Sequence, residues 1–252
     1  MIRALAILAF ATLLPTQALA EEVVAGLSRD EIAITTNFDG SEILIFGAVR
    51  RETPIPDSAP LEVIITVEGP SRPITVRRKE RRFGIWVNTD AADVDEAPTF
   101  YAVSTTAPFN EVLTDTNDLR HRVSVHRAVR AVDANVFDQV NFTRALIRIR
   151  EDAGLYQLNE GAVTLRDSTL FDTAVRLPAN LVEGDYRTRI ILTRDREIVT
   201  EFDTTIAVRK VGLERFIYNL AHERPLIYGI MSLVIAIAAG WLASAVFRYI
   251  RT

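Results

Sequence analysis

Between Arg224 and Arg248 the chain runs for 23 residues, Pro225 to Phe247, without one charged side chain. Leu226, Ile227, Ile230, Leu233, Val234, Ile235, Ile237, Leu242 and Val246 lie in this run. A bilayer core about 30 Å thick needs about 20 apolar residues in helical form. Such a segment must also satisfy every backbone N–H and C=O internally, which a single helix does. The run therefore predicts a transmembrane helix over 225–247. Tyr228 sits near one edge, with Trp241 and Tyr249 near the other, where amphipathic rings favour the interface. The tail 248–252 carries Arg248 and Arg251 and no acid, the pattern of a cytoplasmic end.

The other end is specialised too. Arg3 precedes an uncharged run from Ala4 to Leu14, Pro15 breaks it, and Ala18-Leu19-Ala20 stands before Glu21-Glu22. A basic start, a short apolar stretch and an A-x-A site read as a secretory signal over 1–20, cleaved after Ala20. Eleven residues are too few to span a bilayer. Together the two segments predict an inner-membrane protein with one span, its bulk (21–224) periplasmic and its C-terminus cytoplasmic. All 33 acids fall in 21–224; removing Arg3, Arg248 and Arg251 from 29 bases leaves 26, a formal charge of −7 there. That balance argues against nucleic acid as a partner. Cysteine is absent, which excludes disulfides, zinc ribbons, iron–sulfur clusters and thiol nucleophiles.

The exported region reads as mainly β. Segments 32–36, 42–49, 61–67, 73–79, 83–88 and 99–105 are short and rich in β-branched or aromatic residues. Turn chemistry such as Asn37-Phe38-Asp39-Gly40, Pro54, Pro56, Pro60 and Gly69-Pro70 separates them. From Asp115 to Ile149 there is no glycine. Phe142, Ala145, Leu146 and Ile149 form a helical stripe, with Asn141 as a candidate cap and Gly154 as a stop. Residues 117–131 fit a helix, while Val123-Ser124-Val125 also alternates as a strand. Strands return at 163–165, 169–177, 186–193 and 198–208. Leu213, Phe216, Ile217 and Leu220 form a last stripe before the span. The expected plan is two immunoglobulin-like β-sandwiches, 21–107 and 154–211, joined by a helical connector 108–153. A juxtamembrane helix at 212–224, the span and the tail follow. Val175–Ile190 loosely echoes Trp86–Val103, which supports two copies; one sandwich interrupted by the connector is the alternative.

Several blocks resemble a known family. Gly26-Leu27-Ser28, Ser41-Glu42-Ile43-Leu44-Ile45-Phe46-Gly47, Gly84-Ile85-Trp86-Val87-Asn88, Phe100-Tyr101-Ala102-Val103, Leu177-Pro178-Ala179-Asn180 and Lys210-Val211-Gly212-Leu213-Glu214-Arg215 are similar to the recurrent blocks of an alphaproteobacterial transmembrane protein family. The resemblance covers the mature chain and implies the same plan of signal, periplasmic region and one C-terminal span. It assigns no catalytic residues, and it implies a transport-associated role through genes neighbouring a sulfite-exporter-type permease.

Two features carry candidate function. Arg77, Arg78, Lys79, Arg81 and Arg82 place five bases in six positions around Glu80. Such a cluster can bind an anion, a lipid headgroup or an acidic partner surface. It can equally be a solvated hairpin tip or a charge-protected edge. The adjoining Phe83, Ile85, Trp86 and Val87 would present the basic face rigidly. In the span, Ser232, Ala236, Gly240 and Ser244 recur every four residues, a spacing that admits close approach of a second helix, from another copy or another membrane protein. No metal or cofactor is expected. His121, His126 and His222 lack ligand spacing, and no nucleophile elbow, phosphate loop or dinucleotide fingerprint occurs. The expected function is a noncatalytic, membrane-anchored periplasmic accessory or interaction protein, with an anion- or ligand-binding sensor using the 77–82 hairpin as the alternative.

Overall fold

The computed structural model describes residues 21–34, 39–51, 59–130, 139–211 and 213–250. The expected signal peptide 1–20, the turn residues Asn37-Phe38, Pro54, Pro56 and the last tail residues, Arg251 and Thr252, lie outside the described residues.

Twelve strands are described. β1 (Glu21–Leu27), β3 (Ser41–Arg51), β10 (Leu170–Leu177) and β9 (Thr164–Arg166) form one sheet in the order β1-β3-β10-β9. A second sheet has the order β2-β12-β11-β4-β7-β8, from β2 (Glu31–Ile34), β12 (Glu197–Lys210), β11 (Gly184–Arg194), β4 (Leu61–Glu68), β7 (Tyr101–Thr105) and β8 (Tyr156–Asn159). β5 (Ser71–Arg82) and β6 (Ile85–Pro98) pair only with each other, as a long ribbon. Strand β3 of the N-terminal segment thus lies beside β10 of the C-terminal one, β4 beside β11, and β2 runs parallel to β12.

The pairing corrects the two-domain expectation. Read as letters, β1, β3, β9 and β10 are A, B, D and E, giving ABED; β4, β11 and β12 are C, F and G, with β7 added beside C as in variable-type domains. One two-sheet unit, of a strand order compatible with an immunoglobulin-like sandwich, is built from both segments, and the ribbon 71–98 and the connector 108–153 are carried between its strands. Segment 21–107 alone supplies only half of each sheet and could not cover its own apolar faces. The suspected echo is not structural either, since Trp86 belongs to the ribbon and Val175 to the ABED sheet. Tyr186 opens β11, and its hydroxyl donates to the Val182 carbonyl at 2.8 Å, like the tyrosine corner of such sandwiches.

Side-chain alternation positions the layers. In β3, Ile43, Ile45 and Val49 are buried while Leu44 and Phe46 are exposed. In β4 and β11 both alternating sets are buried. Val63, Ile65, Ile190 and Leu192 face the ABED sheet, whereas Ile64, Thr66, Arg189 and Ile191 lie beneath the connector. One continuous core runs from Val23 to Val208. At Gly47 the neighbouring strands of its own sheet leave no room: a Cβ there would stand 2.5 Å from Phe171 Cζ and 2.8 Å from the Val24 carbonyl oxygen.

The connector is helical where described: α1 (Phe109–Val112), α2 (Asp115–His121), α3 (Val125–Ala128) and α4 (Gln139–Asp152). Thr114 caps α2 by accepting from the Asn117 amide at 3.3 Å. Val123-Ser124-Val125 forms no strand. Asp118 accepts from the Val123 and Ser124 amides and the Ser124 hydroxyl, at 3.1, 2.7 and 2.7 Å, and Arg122 takes a left-handed φ of 51°. These bonds turn the chain into α3. In α4 the buried stripe is Phe142, Leu146 and Ile147; Ile149 is exposed, and Asn141 lies inside the helix rather than at its cap. Gly154, with φ 68°, follows its end as expected.

Two buried arginine systems hold the layers. Arg189 of β11 donates to the His121 carbonyl (2.8 Å), the Arg122 carbonyl (3.1 Å), Thr66 Oγ1 (3.2 Å) and Tyr101 Oη (3.3 Å), and faces Glu201 at 3.5 Å. It fastens the C-terminal carbonyls of α2, which no helix bond satisfies, to the sheet. At the other end of the sandwich, the buried Glu21 carboxylate accepts from Arg51 (2.7 Å) and Arg194 (2.9 Å). Burial pushes the Glu21 pKa up, but the bonds and charges of the two arginines outweigh it and hold the carboxyl below its ordinary value.

The exit points matter for function. β4 and β12 both run antiparallel to β11, with Glu68 opposite Arg187 and Val208 opposite Gly184. Both therefore leave the sheet at the same end, where Gly184 (φ 154°) lies so close to the Pro70 ring that a Cβ would approach to 2.8 Å. From β4 the chain enters the ribbon. From β12 it enters α5 (Leu213–Glu223) and then α6 (Pro225–Ile250). Pro225 begins α6, where its missing N–H costs nothing.

Candidate functional site

The ribbon closes on a two-residue turn. Phe83 (φ 51°) and Gly84 (φ 85°) are both left-handed, and Arg82 pairs with Ile85 across them. A turn of this kind is met without cost by Asn, Asp or Gly. Phenylalanine in the first position is strained, and its ring stands fully in solvent. Ile85 and Trp86 are 64% and 68% exposed, so three large apolar side chains crowd the tip. The expectation that these residues serve as a rigid base is corrected: they are the outermost groups. Rigidity comes from β6, which continues to Pro98 rather than ending near 88, and from α4 against the ribbon's inner face. Ala92, Val94 and Ala97 are buried there.

The five bases differ in what they touch. Arg78 is drawn inward, its guanidinium 4.8 Å from the centroid of the Phe142 ring and 3.8 Å from Asp90. Arg82 pairs with Glu80 at 3.3 Å, an exposed contact of small energetic worth. Arg77, Lys79 and Arg81 are exposed and make no ion pair among the described residues. They share one strand face by alternation, and Arg81 stands directly across from Trp86. Those three, with the apolar tip, form an amphipathic surface rather than an enclosed pocket. A depression of about 500 Å³, open to solvent, lies at the ribbon's base between Arg72, Glu96 and Arg130.

The span residues are also placed. Ser232, Ala236, Gly240 and Ser244 all lie on α6. Ser232 donates its hydroxyl to the Tyr228 carbonyl at 2.8 Å, so that polar group is satisfied within the helix. A Cβ at Gly240 would meet no atom within 4 Å. Over Pro225–Val246 the mean hydropathy is 2.2, and none of the most apolar stretch is buried in the chain.

Other chemistry is sparse. His121 ends α2 and lies 3.4 Å from Glu201, whereas His126 is in α3 and His222 in α5. No group of His, Asp and Glu suited to a metal occurs among the described residues. The shifted titrations belong to packing. Burial raises the Glu68 pKa, with Arg189 and Arg187 acting against it, and burial pushes Tyr101 and Tyr156 up to about 12. Sequence reading missed Arg189, because one arginine among the strand residues of 186–193 gives no sign of the helix end it meets.

Two packed β-sheets with a basic, apolar-tipped ribbon and one uncovered apolar helix define a β-rich membrane protein with a single C-terminal candidate span. The chain belongs to the family whose model is described as "putative transmembrane protein" (Alph_Pro_TM), matched over residues 22–249. No curated protein matches it.

Proposed function

We propose that this is a noncatalytic accessory module of the inner membrane. Its sandwich is held at the periplasmic surface by α6, its C-terminus is cytoplasmic, and it docks on a membrane complex through α6 and the domain beside it. The observation that carries this reading is the uncovered α6, whose apolar side chains find no cover among the described residues and need lipid or another helix. Ser232, Ala236, Gly240 and Ser244 supply a narrow face for such a helix, from a second copy or from a polytopic protein such as a transporter. The orientation rests on the A-x-A site and the basic tail.

Photo-crosslinking tests the docking. A crosslinker at Ala236 in native membranes should yield one dominant adduct with a membrane protein, and one at Val234 should not. Equal, diffuse adducts from both positions would reduce α6 to a simple anchor. A reporter fused after Thr252 should work only as a cytoplasmic enzyme. The alternative reading is a sensor that binds a small anion at Arg77, Lys79 and Arg81, which lack ion-pair partners among the described residues. Inorganic sulfate or phosphate would then raise the melting temperature of the full chain, and Arg77→Gln would abolish the rise.

A further inference from the structure

We propose that the tip of the β5–β6 ribbon is a second membrane contact, with Phe83, Ile85 and Trp86 entering the interfacial layer and Arg77, Lys79 and Arg81 meeting the phosphates of anionic lipids. The proposal rests on the membrane anchoring by α6 put forward above.

Four observations converge on it. First, the ribbon and the α5–α6 segment leave the same end of the sandwich, so the ribbon's base is on the side from which the span departs. Second, the ribbon is long enough to reach away from that end: the 12 residues of β5 extend about 40 Å at roughly 3.3 Å each. Third, its outermost side chains are the wrong ones for water. A solvated or edge-protecting tip explains the bases but not a fully exposed Phe83 beside exposed Ile85 and Trp86. The strained phenylalanine at a position suited to Asn or Gly sharpens this, since the strain serves no contact within the chain. Fourth, bases set behind an aromatic tip match the layering of a bilayer surface. Tryptophan and phenylalanine enter the headgroup–acyl boundary, and exposed arginine and lysine meet anionic phosphates. Arg81, directly across from Trp86, brings the row of bases up to the edge of the aromatic tip, with Lys79 and Arg77 behind it.

The two tryptophans provide the test, because Trp86 reports the ribbon and Trp241 the span. The full chain is reconstituted with Trp241→Phe or with Trp86→Phe, leaving one tryptophan in each. Vesicles are phosphatidylcholine alone or mixed with phosphatidylglycerol, with bromine on the acyl chains near the headgroup. In the mixed vesicles Trp86 should emit to the blue, be quenched by the brominated lipid and be shielded from acrylamide. Replacing Arg77, Lys79 and Arg81 together by Gln should return Trp86 quenching to its level in phosphatidylcholine, since each base near the surface contributes roughly five-fold in binding. Water-like emission from Trp86, with acrylamide quenching unchanged by vesicles, would overturn the proposal. So would shielding that appears only when native membrane proteins are added, which would make the tip a protein-docking site. Indifference to the Gln replacements would remove the role of lipid phosphate. If Trp241 itself escapes the brominated lipid, the anchoring fails; if Trp241 is quenched and Trp86 is not, only the ribbon contact fails.

Discussion

Replacing Arg189 by Met would keep an unbranched apolar stem and remove the guanidinium. The structure tells which groups suffer. The single Tyr101 hydroxyl hydrogen is shared between the Val123 carbonyl at 2.9 Å and the Arg122 carbonyl at 3.2 Å, so neither the hydroxyl nor the Arg122 carbonyl is left without a partner. Glu201 keeps His121 at 3.4 Å. The His121 carbonyl and Thr66 Oγ1 lose their Arg189 donor, and each such buried loss costs about 1–3 kcal/mol. The sum is about 4 kcal/mol near the middle of that range. For a domain of this size each kcal/mol lowers the melting temperature by about 2–4 °C, so the expected drop is roughly 8–16 °C. The assay is thermal unfolding of the full chain in micelles, followed by near-ultraviolet dichroism. Adding Thr66→Val should recover part of the loss, because it removes one of the stranded acceptors, whereas two independent sites would simply add. A drop under about 3 °C, or strict additivity with Thr66→Val, would refute the reasoning and leave α2 held by apolar packing alone.

Further expectations concern titration and packing. Because the Glu21 carboxyl is held below its ordinary value, its stabilising contribution is present above about pH 4.3 and is lost as pH falls through the lower folded value. Glu21→Gln should therefore destabilise by about 3–5 kcal/mol at neutral pH, with the gap closing on acidification; an acid unfolding curve unchanged by the substitution would contradict this. Tyr101 and Tyr156 titrate near 12 in the fold and about 10 when unfolded. Stability should be intact below pH about 10 and fall as pH rises toward 12, with phenolate absorbance appearing together with unfolding rather than before it. Gly47→Ala forces a methyl group against the Phe171 ring and the Val24 carbonyl; a loss of about 1–3 kcal/mol is expected, and Phe171→Leu in the same chain should relieve part of it.

Local patterns in the sequence foretold local structure well. The uncharged run became α6, the stripe before it became α5, and Gly154 stopped α4. Strands with clean alternation were legible, β3 and β10 above all. β1 and β8 were not foreseen: β1 begins directly at the expected cleavage site with Glu21-Glu22, and β8 is only four residues long. The joining of the two segments into one sandwich was not legible, because sheet order depends on which edges meet and not on the period within a strand. The basic cluster was visible as composition. Its division into an inward Arg78 and outward Arg77, Lys79 and Arg81 was not, since it depends on Phe142, more than sixty residues away. Phe83 was visible but misjudged, because an apolar residue next to charge is ordinarily taken for support.

The pairing of β2 with β12, and of β11 with both β4 and β12, sets an order of events during synthesis. β12 is the last strand made, only 14 residues before the span. Until it emerges, β11 presents an open edge and β2 has no strand to join, so the N-terminal half must wait as unfinished chain. The sandwich can therefore be completed only once the chain has been made to within a few residues of the α5–α6 segment. A chain interrupted before Glu197 would carry exposed β11 and be a natural substrate for holding chaperones and proteases. Placing β12 so late in the sequence makes the sandwich depend on nearly the whole chain having been made.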